Sequence, residues 1–365
     1  MTALRLLDLG GVSGLRSQAV YHALCYSVSE GMPATLAVLY PTEPYACIGY
    51  HRALDSEIDQ AFCQANSIPV YRRRVGGGAV YLDRDQVFFQ LVLPAHAVRG
   101  TINDTYTELL RPAVAAYRAL GVADADLCGV NDVAVHRRKL SGTGMARIAD
   151  AMVLVGNVII DFPITTMARV LKLPDEHARA WVEASMRRWV SSVERETQRR
   201  PSYAEVADVL RWAFGAWADG ALEPADLTSS EEAHITRAEA RLSSVDWIHA
   251  EGQATGPQPN VAVRRIKIRA GRYDAFFDSD LAGEMVRVYV SSDSGVVEAV
   301  HFRPESCGGV RLRQALRELS FRLAGWPSDQ LACTAQESLA AVPEAREEEI
   351  HRLADRLAAA ARADD

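Results

Sequence analysis

The chain has 365 residues, 48% of them hydrophobic, enough for two or three domains with a sizeable buried core. Its formal net charge of −7, from 40 basic and 47 acidic residues, excludes a general nucleic-acid coat, which needs a basic surface. The 6 cysteines stand singly, which excludes a disulfide framework or a structural zinc site, and no apolar run approaches the ~20 residues of a membrane span. With no basic leader at the N-terminus, the expectation is a cytoplasmic protein with reduced thiols.

Residues 4–9 read as a first strand. Ser17 is placed to cap a helix over 18–30 with Val20, Tyr21, Leu24 and Val28 on one face. Thr35–Tyr40 and Tyr45–Tyr50 read as strands, and Asp55 as the cap of a helix running to Asn66. Ile68–Arg74 is a short strand that runs into Gly76-Gly77-Gly78, and Val87–Leu93 is the next strand. A helical pattern begins at Asn103, with a kink or restart expected at Pro112. Val133–Val135 and Met152–Ile160 read as strands, and helical patterns follow over 164–172, 176–192 and 203–219. A polar connection with one helix over 230–243 and a Gly-, Pro- and Gln-rich loop over 251–260 leads to strands at Val261–Arg269, Tyr273–Asp278, Met285–Ser291 and Val296–Phe302. Helices over 308–323 and 343–365 close the chain, the last expected to face solvent on most sides. The domain expectation is 1–222, a helical linker 223–258, and a smaller unit 259–365.

Two segments carry chemistry. The first is Tyr71-Arg72-Arg73-Arg74-Val75-Gly76-Gly77-Gly78-Ala79-Val80-Tyr81-Leu82-Asp83. Glycine lets the backbone lie directly against a ligand, successive amides form a concavity for anions, and arginines grip phosphate or carboxylate in pairs of hydrogen bonds. Strand alternation puts Arg72 and Arg74 on one face and Arg73 on the other. The second is Asn131-Asp132, a strand and hairpin, then Lys139-Leu140-Ser141-Gly142-Thr143-Gly144. A carboxylate such as Asp132 can hold Mg²⁺ beside phosphates, with a turn-stabilising role as the alternative. A lysine such as Lys139 can stabilise a developing negative oxygen.

Together these segments resemble the catalytic domain of lipoate–protein ligases in the biotin/lipoate protein ligase superfamily. Arg72, Arg73, Gly76, Gly77, Gly78, Val80 and Asp83 fill the motif R-R-x-x-G-G-G-x-V-x-x-D, and Asn131, Asp132, Lys139, Ser141 and Gly142 fill N-D followed by K-x-S-G. The resemblance covers residues 4–220, and the unit after 258 looks like the accessory domain of long ligases. It implies a mixed α/β (α+β) fold, a central mixed sheet flanked by helices and similar to class II synthetases, with a small C-terminal α+β domain. It implies ATP, Mg²⁺ and lipoic acid as cofactors and substrate, and a lipoyl-domain or lipoate-binding protein as acceptor, with no nucleic acid or membrane partner and a monomeric enzyme. The reaction implied is two-step: lipoate and ATP give lipoyl-AMP and pyrophosphate, and an acceptor lysine then takes the acyl group. The roles implied are Lys139 at the acyl-phosphate junction, Arg72 and Arg73 with Gly76–Gly78 at the phosphate and lipoyl chain, Asn131 at the nucleotide, Ser141 and Gly142 at the ligand, and Asp132 on Mg²⁺.

The sequence departs from that pattern at Val75, where ligases carry Ser or Thr, at Thr143-Gly144, and at Val155-Gly156-Asn157, where His-Gly-Thr is frequent. The departures resemble a branch of archaea and sulfur-oxidising bacteria that pairs such ligases with a dedicated lipoate-binding protein. Cysteine-dependent octanoyl or lipoyl transfer through Cys128 and a non-catalytic lipoyl-binding protein are the alternatives. Asp83 reads as structural, and Arg264–Arg269 as an exposed basic face or a steering surface for an acidic acceptor.

Overall fold

The computed structural model describes residues 4–220, 222–250, 263–305, 310–339 and 345–362. The loop 251–260, the start of the strand expected at Val261, Cys307 and the first residues of the helix expected from 308 lie outside them.

The apolar runs of the first half pair into one six-stranded mixed sheet. Its order across the sheet is Gly144–Ile148, Ala151–Ile159, Gln86–Pro94, Thr35–Pro41, Leu4–Val12 and Leu222–Pro224. The strand Leu4–Val12 is parallel to both its neighbours and the other pairs are antiparallel. Because side chains alternate between faces, each strand feeds two cores. One core gathers Leu36, Val38, Phe89, Leu91 and Leu154 against the helices Ile102–Ala119 and Tyr203–Trp217. The other gathers Leu7, Ala37, Leu39, Val92 and Val153 under the helices Gly14–Ser29 and Ser229–Leu242. The result is the expected mixed sheet flanked by helices. No helix among the described residues is long and apolar enough to cross a membrane.

Several elements differ from expectation for identifiable reasons. Ser13, not Ser17, caps the first helix: its side chain accepts from the Arg16 amide, while Ser17 is buried and hydrogen-bonded to Tyr45. The helix expected over 55–66 is two short helices, Leu54–Glu57 and Gln60–Ala65, because Asp59 caps the second. Pro112 sits inside one continuous helix, whose start is fixed by a capping box of Thr101 and Asp104. The segment expected to be a linker supplies Ile235, Ala238, Leu242 and Trp247 to the core of the first unit.

The chain divides into two compact units, residues 1–172 with 187–255, and residues 173–186 with 256–365. The second unit is a four-stranded antiparallel sheet, Arg264–Arg269, Arg272–Leu281, Glu284–Asp293 and Val296–Pro304. Its core is closed by the helices Val310–Leu323, Leu331–Leu339 and Glu347–Ala361. The last helix was expected to face solvent but buries Ile350, Leu353, Ala354, Leu357 and Ala360. Residues 173–186 belong to this unit through specific contacts. Asp175 accepts from Arg287 and from the Tyr289 hydroxyl, both at 2.9 Å, and the Trp181 indole donates to Ser291 at 2.9 Å. The strand Arg264–Arg269 is only partly the exposed basic face expected. Lys267 is exposed, but Arg269 is buried against Asp293 and Arg265 lies 4.3 Å over the Tyr273 ring.

Candidate functional site

The glycine segment folds as a loop held from below. The strand ends at Arg72, so the alternation expected to reach Arg74 is lost in the turn. Arg73 folds back along the loop: its guanidinium donates to the carbonyls of Gly76 and Gly78, both at 2.8 Å, and to Cys47 at 3.1 Å. All peptide bonds here are trans and planar. The amides that share those two peptide planes, Gly77 N–H and Ala79 N–H, therefore point away from Arg73. Nothing lies within 4 Å of where a Cβ on Gly76 or Gly78 would sit, so the upper side of the loop is open. Gly77 has φ +99° and so requires glycine. The loop's underside rests on Gly49, where a Cβ would come within 2.0 Å of the Gly77 carbonyl.

Arg72, expected at the ligand, is built into the wall instead. Its side chain is 1% exposed and donates to the carbonyls of Gly49, Tyr50, Arg52, Trp247 and Ile248 at 2.6–3.3 Å. A guanidinium this deeply buried and held by five carbonyls is a wall residue rather than an open phosphate ligand. Arg74 stacks over Tyr50, 5.1 Å from its ring centre.

The second segment forms a small sheet, Asp126–Cys128, Asp132–Val135 and Arg138–Gly142. Left-handed backbone at His136 and Arg137 makes its tight turn. The register brings Asp132 and Lys139 to one face, where the ammonium lies 2.8 Å from the carboxylate. Asp132 is buried, whereas the Lys139 side chain keeps 22% exposure. Asn131 is committed to the loop: its amide donates to the Thr143 carbonyl at 2.8 Å, and Thr143 Oγ1 donates back to the Asn131 carbonyl at 2.5 Å. Ser141 Oγ donates to Asn157 Oδ1 at 3.2 Å, which also accepts from the Gly142 amide at 3.3 Å. Asn157 in turn donates to Gln86, whose amide reaches the Tyr81 carbonyl at 3.1 Å. Asn157 and Gln86 thus tie the two motif segments together. Sequence reasoning saw Asn157 only as a departure from a pattern; its place directly across from Phe88 in the ladder is a tertiary fact.

The two segments also touch. A Cβ on Gly144 would lie 2.4 Å from Val75 Cγ1, so the Val75 methyl fills the notch that glycine leaves. Val75 at the position of a hydroxyl residue is therefore a packing contact. The expected pair of loops, distant in sequence, is brought together at this contact, with the Lys139 side chain 3.5 Å from where a Cβ on Gly142 would sit. Half-buried apolar residues Leu15, Val80, Ala146 and Val155 pack against the same core as Val75.

The Asp132 carboxylate is buried and holds the Lys139 ammonium, and no group of three His, Cys, Asp or Glu that could hold a metal occurs among the described residues. The thiols of Cys25 and Cys63 are pushed up by burial to about 12 and about 11, and that of Cys47 is raised for the same reason. Cys128 is half-buried and pairs in register with Asp132.

The profile of the Lipoyl protein ligase A/B catalytic domain matches residues 13–215. The octanoyltransferase LipM of Symbiobacterium thermophilum is 24% identical over 67% of this chain and 97% of its own length. Lipoate–protein ligase 1 of Staphylococcus aureus is 27% identical over 46% of this chain and 50% of its own length. Among solved structures, the bipartite lipoate protein ligase of Thermoplasma acidophilum, described with its E2 lipoyl domain, superposes with TM-score 0.61 at 25% identity, covering 68% of this chain and 96% of its own. A lipoate-protein ligase A bound with ATP superposes with TM-score 0.58 at 23% identity over 68% of this chain and all of its own. The chain belongs to the lipoyl protein ligase A/B catalytic domain family, an enzyme family of lipoate ligases and acyl transferases.

Proposed function

We propose that the chain is an ATP-dependent lipoate–protein ligase that forms lipoyl-AMP and passes the lipoyl group to a lysine of an acceptor protein. The observation that carries this reading is the Lys139 ammonium, fixed by buried Asp132 and still partly exposed, in the segment whose Gly144 packs against Val75 of the glycine loop. Negative charge gathers at the acyl-phosphate junction during both half-reactions, and fixed donors stabilise it without a covalent step. The Gly77 and Ala79 amides are donors for the phosphate, with Arg73 holding the loop in that shape. The buried thiols of Cys25, Cys47 and Cys63 are held protonated at neutral pH and supply no nucleophile. The ATP-bound ligase among the structural neighbours and the Thermoplasma ligase with its lipoyl domain are consistent with this nucleotide and with such an acceptor.

A second reading, transfer from an acyl thioester through Cys128 without ATP, has its own support in the octanoyltransferase relatives and in the position of Cys128 opposite Asp132 on the face that carries Lys139.

Pyrophosphate release on adding lipoate and ATP separates the two. The wild type is expected to release pyrophosphate and to lipoylate an acceptor domain. Cys128→Ser should keep both activities, and Lys139→Ala should lose about 10²–10³ in rate. Because Lys139→Ala leaves a buried carboxylate uncompensated, it is measured beside Asp132→Asn/Lys139→Ala, which buries no charge. No pyrophosphate release, together with thioester-dependent transfer abolished by Cys128→Ser, would replace the ligase reading with the second one.

A further inference from the structure

Gln90 lies in the strand Gln86–Pro94, on the face that carries the first helix. It is 2% exposed. Its amide donates to the Ser17 carbonyl of that helix at 2.7 Å, which fixes the amide's orientation. Its carbonyl oxygen, Oε1, is buried with no hydrogen-bond partner. A buried acceptor left unpaired is costly, and an unpaired one in a native fold calls for an explanation.

The register supplies one. Ala37, Gln90, Val155 and Gly144 are successive partners across four adjacent strands, so they form one row on one face of the sheet. Val75 of the glycine segment sits over the Gly144 end of that row. Val155, between Gly144 and Gln90, is apolar and only half-buried, as are Ala146 and Val80 nearby. Two strand spacings, about 10 Å, separate the motif loops from Gln90. The row therefore runs from the motif loops to the unpaired oxygen, and Lys139 lies beside Gly142, two residues from its Gly144 end.

We propose that Gln90 is a specificity-determining residue that reads the distal end of the acyl chain and favours one that carries a hydrogen-bond donor. Within the substrate class inferred above, on which this inference rests, that donor is a thiol of the reduced, dithiol form of lipoate. Octanoate and the cyclic disulfide offer no donor and leave Oε1 unpaired. A site built to bond a polar group discriminates against an analogue that lacks it, because its own buried group is then unsatisfied.

The test compares wild type, Gln90→Leu and Gln90→Met, the second variant keeping the side chain's length. Binding of dihydrolipoate, lipoate and octanoate is measured by calorimetry without nucleotide, and kcat/KM by pyrophosphate release. Removing the acceptor is expected to weaken the dithiol relative to octanoate by about 2- to 10-fold, with octanoate unchanged or improved. A dithiol-to-octanoate ratio equal in wild type and both variants would overturn the proposal, as would an equal loss for disulfide and dithiol. No pyrophosphate release from any acid, with the binding preference intact, would sink ligation and leave the role of Gln90 standing.

Discussion

Arg72 and Arg73 are neighbours with the same chemistry and different work. Arg73 lies along the open loop and shapes it, while Arg72 pins the short helix Val245–Ile248 and the 49–52 turn through their carbonyls. Replacing Arg72 by Met removes the partner of five buried or half-buried carbonyls. Hydrogen bonds to a charged group are worth about 1.5–3 kcal/mol each, so Arg72→Met should lower stability by on the order of 3 kcal/mol or more, read as a shift of the urea midpoint. An arginine that served only the ligand would leave the midpoint near wild type and change only lipoate and ATP binding. Asp83, at the end of the same motif, is raised to about 6, chiefly by burial. A carboxyl whose pKa rises on folding favours the fold in its protonated form. Its contribution is complete below the unfolded value near 3.8 and is lost as pH rises through about 6. Asp83→Asn keeps the acceptor for the Asp85 amide and cannot ionise. The wild type should therefore lose stability relative to Asp83→Asn between pH 4 and pH 7, measured by urea unfolding at the two pH values. A constant difference would show that Asp83 ionises as it would in the unfolded chain.

At the scale of elements, the long strands and helices were legible because each shows its own period. Thr35–Pro41, Gln86–Pro94, Ile102–Ala119 and Tyr203–Trp217 all lie within a few residues of where the pattern puts them. The glycine loop and the Lys139 loop were legible for a different reason, since few backbones need that residue order. What stayed hidden was tertiary. Nothing local marks Arg72 as a wall residue, Asn157 as the tie between the motifs, or Gln90 as an unpaired acceptor, because each role depends on a partner far away in sequence. The last helix was misread because its Ala- and Glu-rich composition resembles a solvated helix. Its apolar stripe of Ile350, Leu353, Leu357 and Ala361 became decisive once the sheet of the second unit gave it a face to bury. Leu357 is fully buried there, so Leu357→Ala should cost about 2–5 kcal/mol, seen as a lower thermal midpoint of the second unit. An unchanged midpoint would return the helix to the solvent-facing role first expected.

At the scale of the whole molecule, the order of residues along the chain and their grouping in space do not coincide. Leu173–Met186 is flanked in sequence by the first unit yet belongs with residues that come much later. Asp175, His177 and Trp181 find long-range partners among Arg287, Tyr289, Ser291 and His301. During synthesis this segment leaves the ribosome long before those strands exist, with its aromatic and aliphatic side chains bare. Nascent chains in that state are prone to aggregate. The waiting segment is where a chaperone would hold the growing polypeptide, and slowing translation beyond it would lengthen the period of risk.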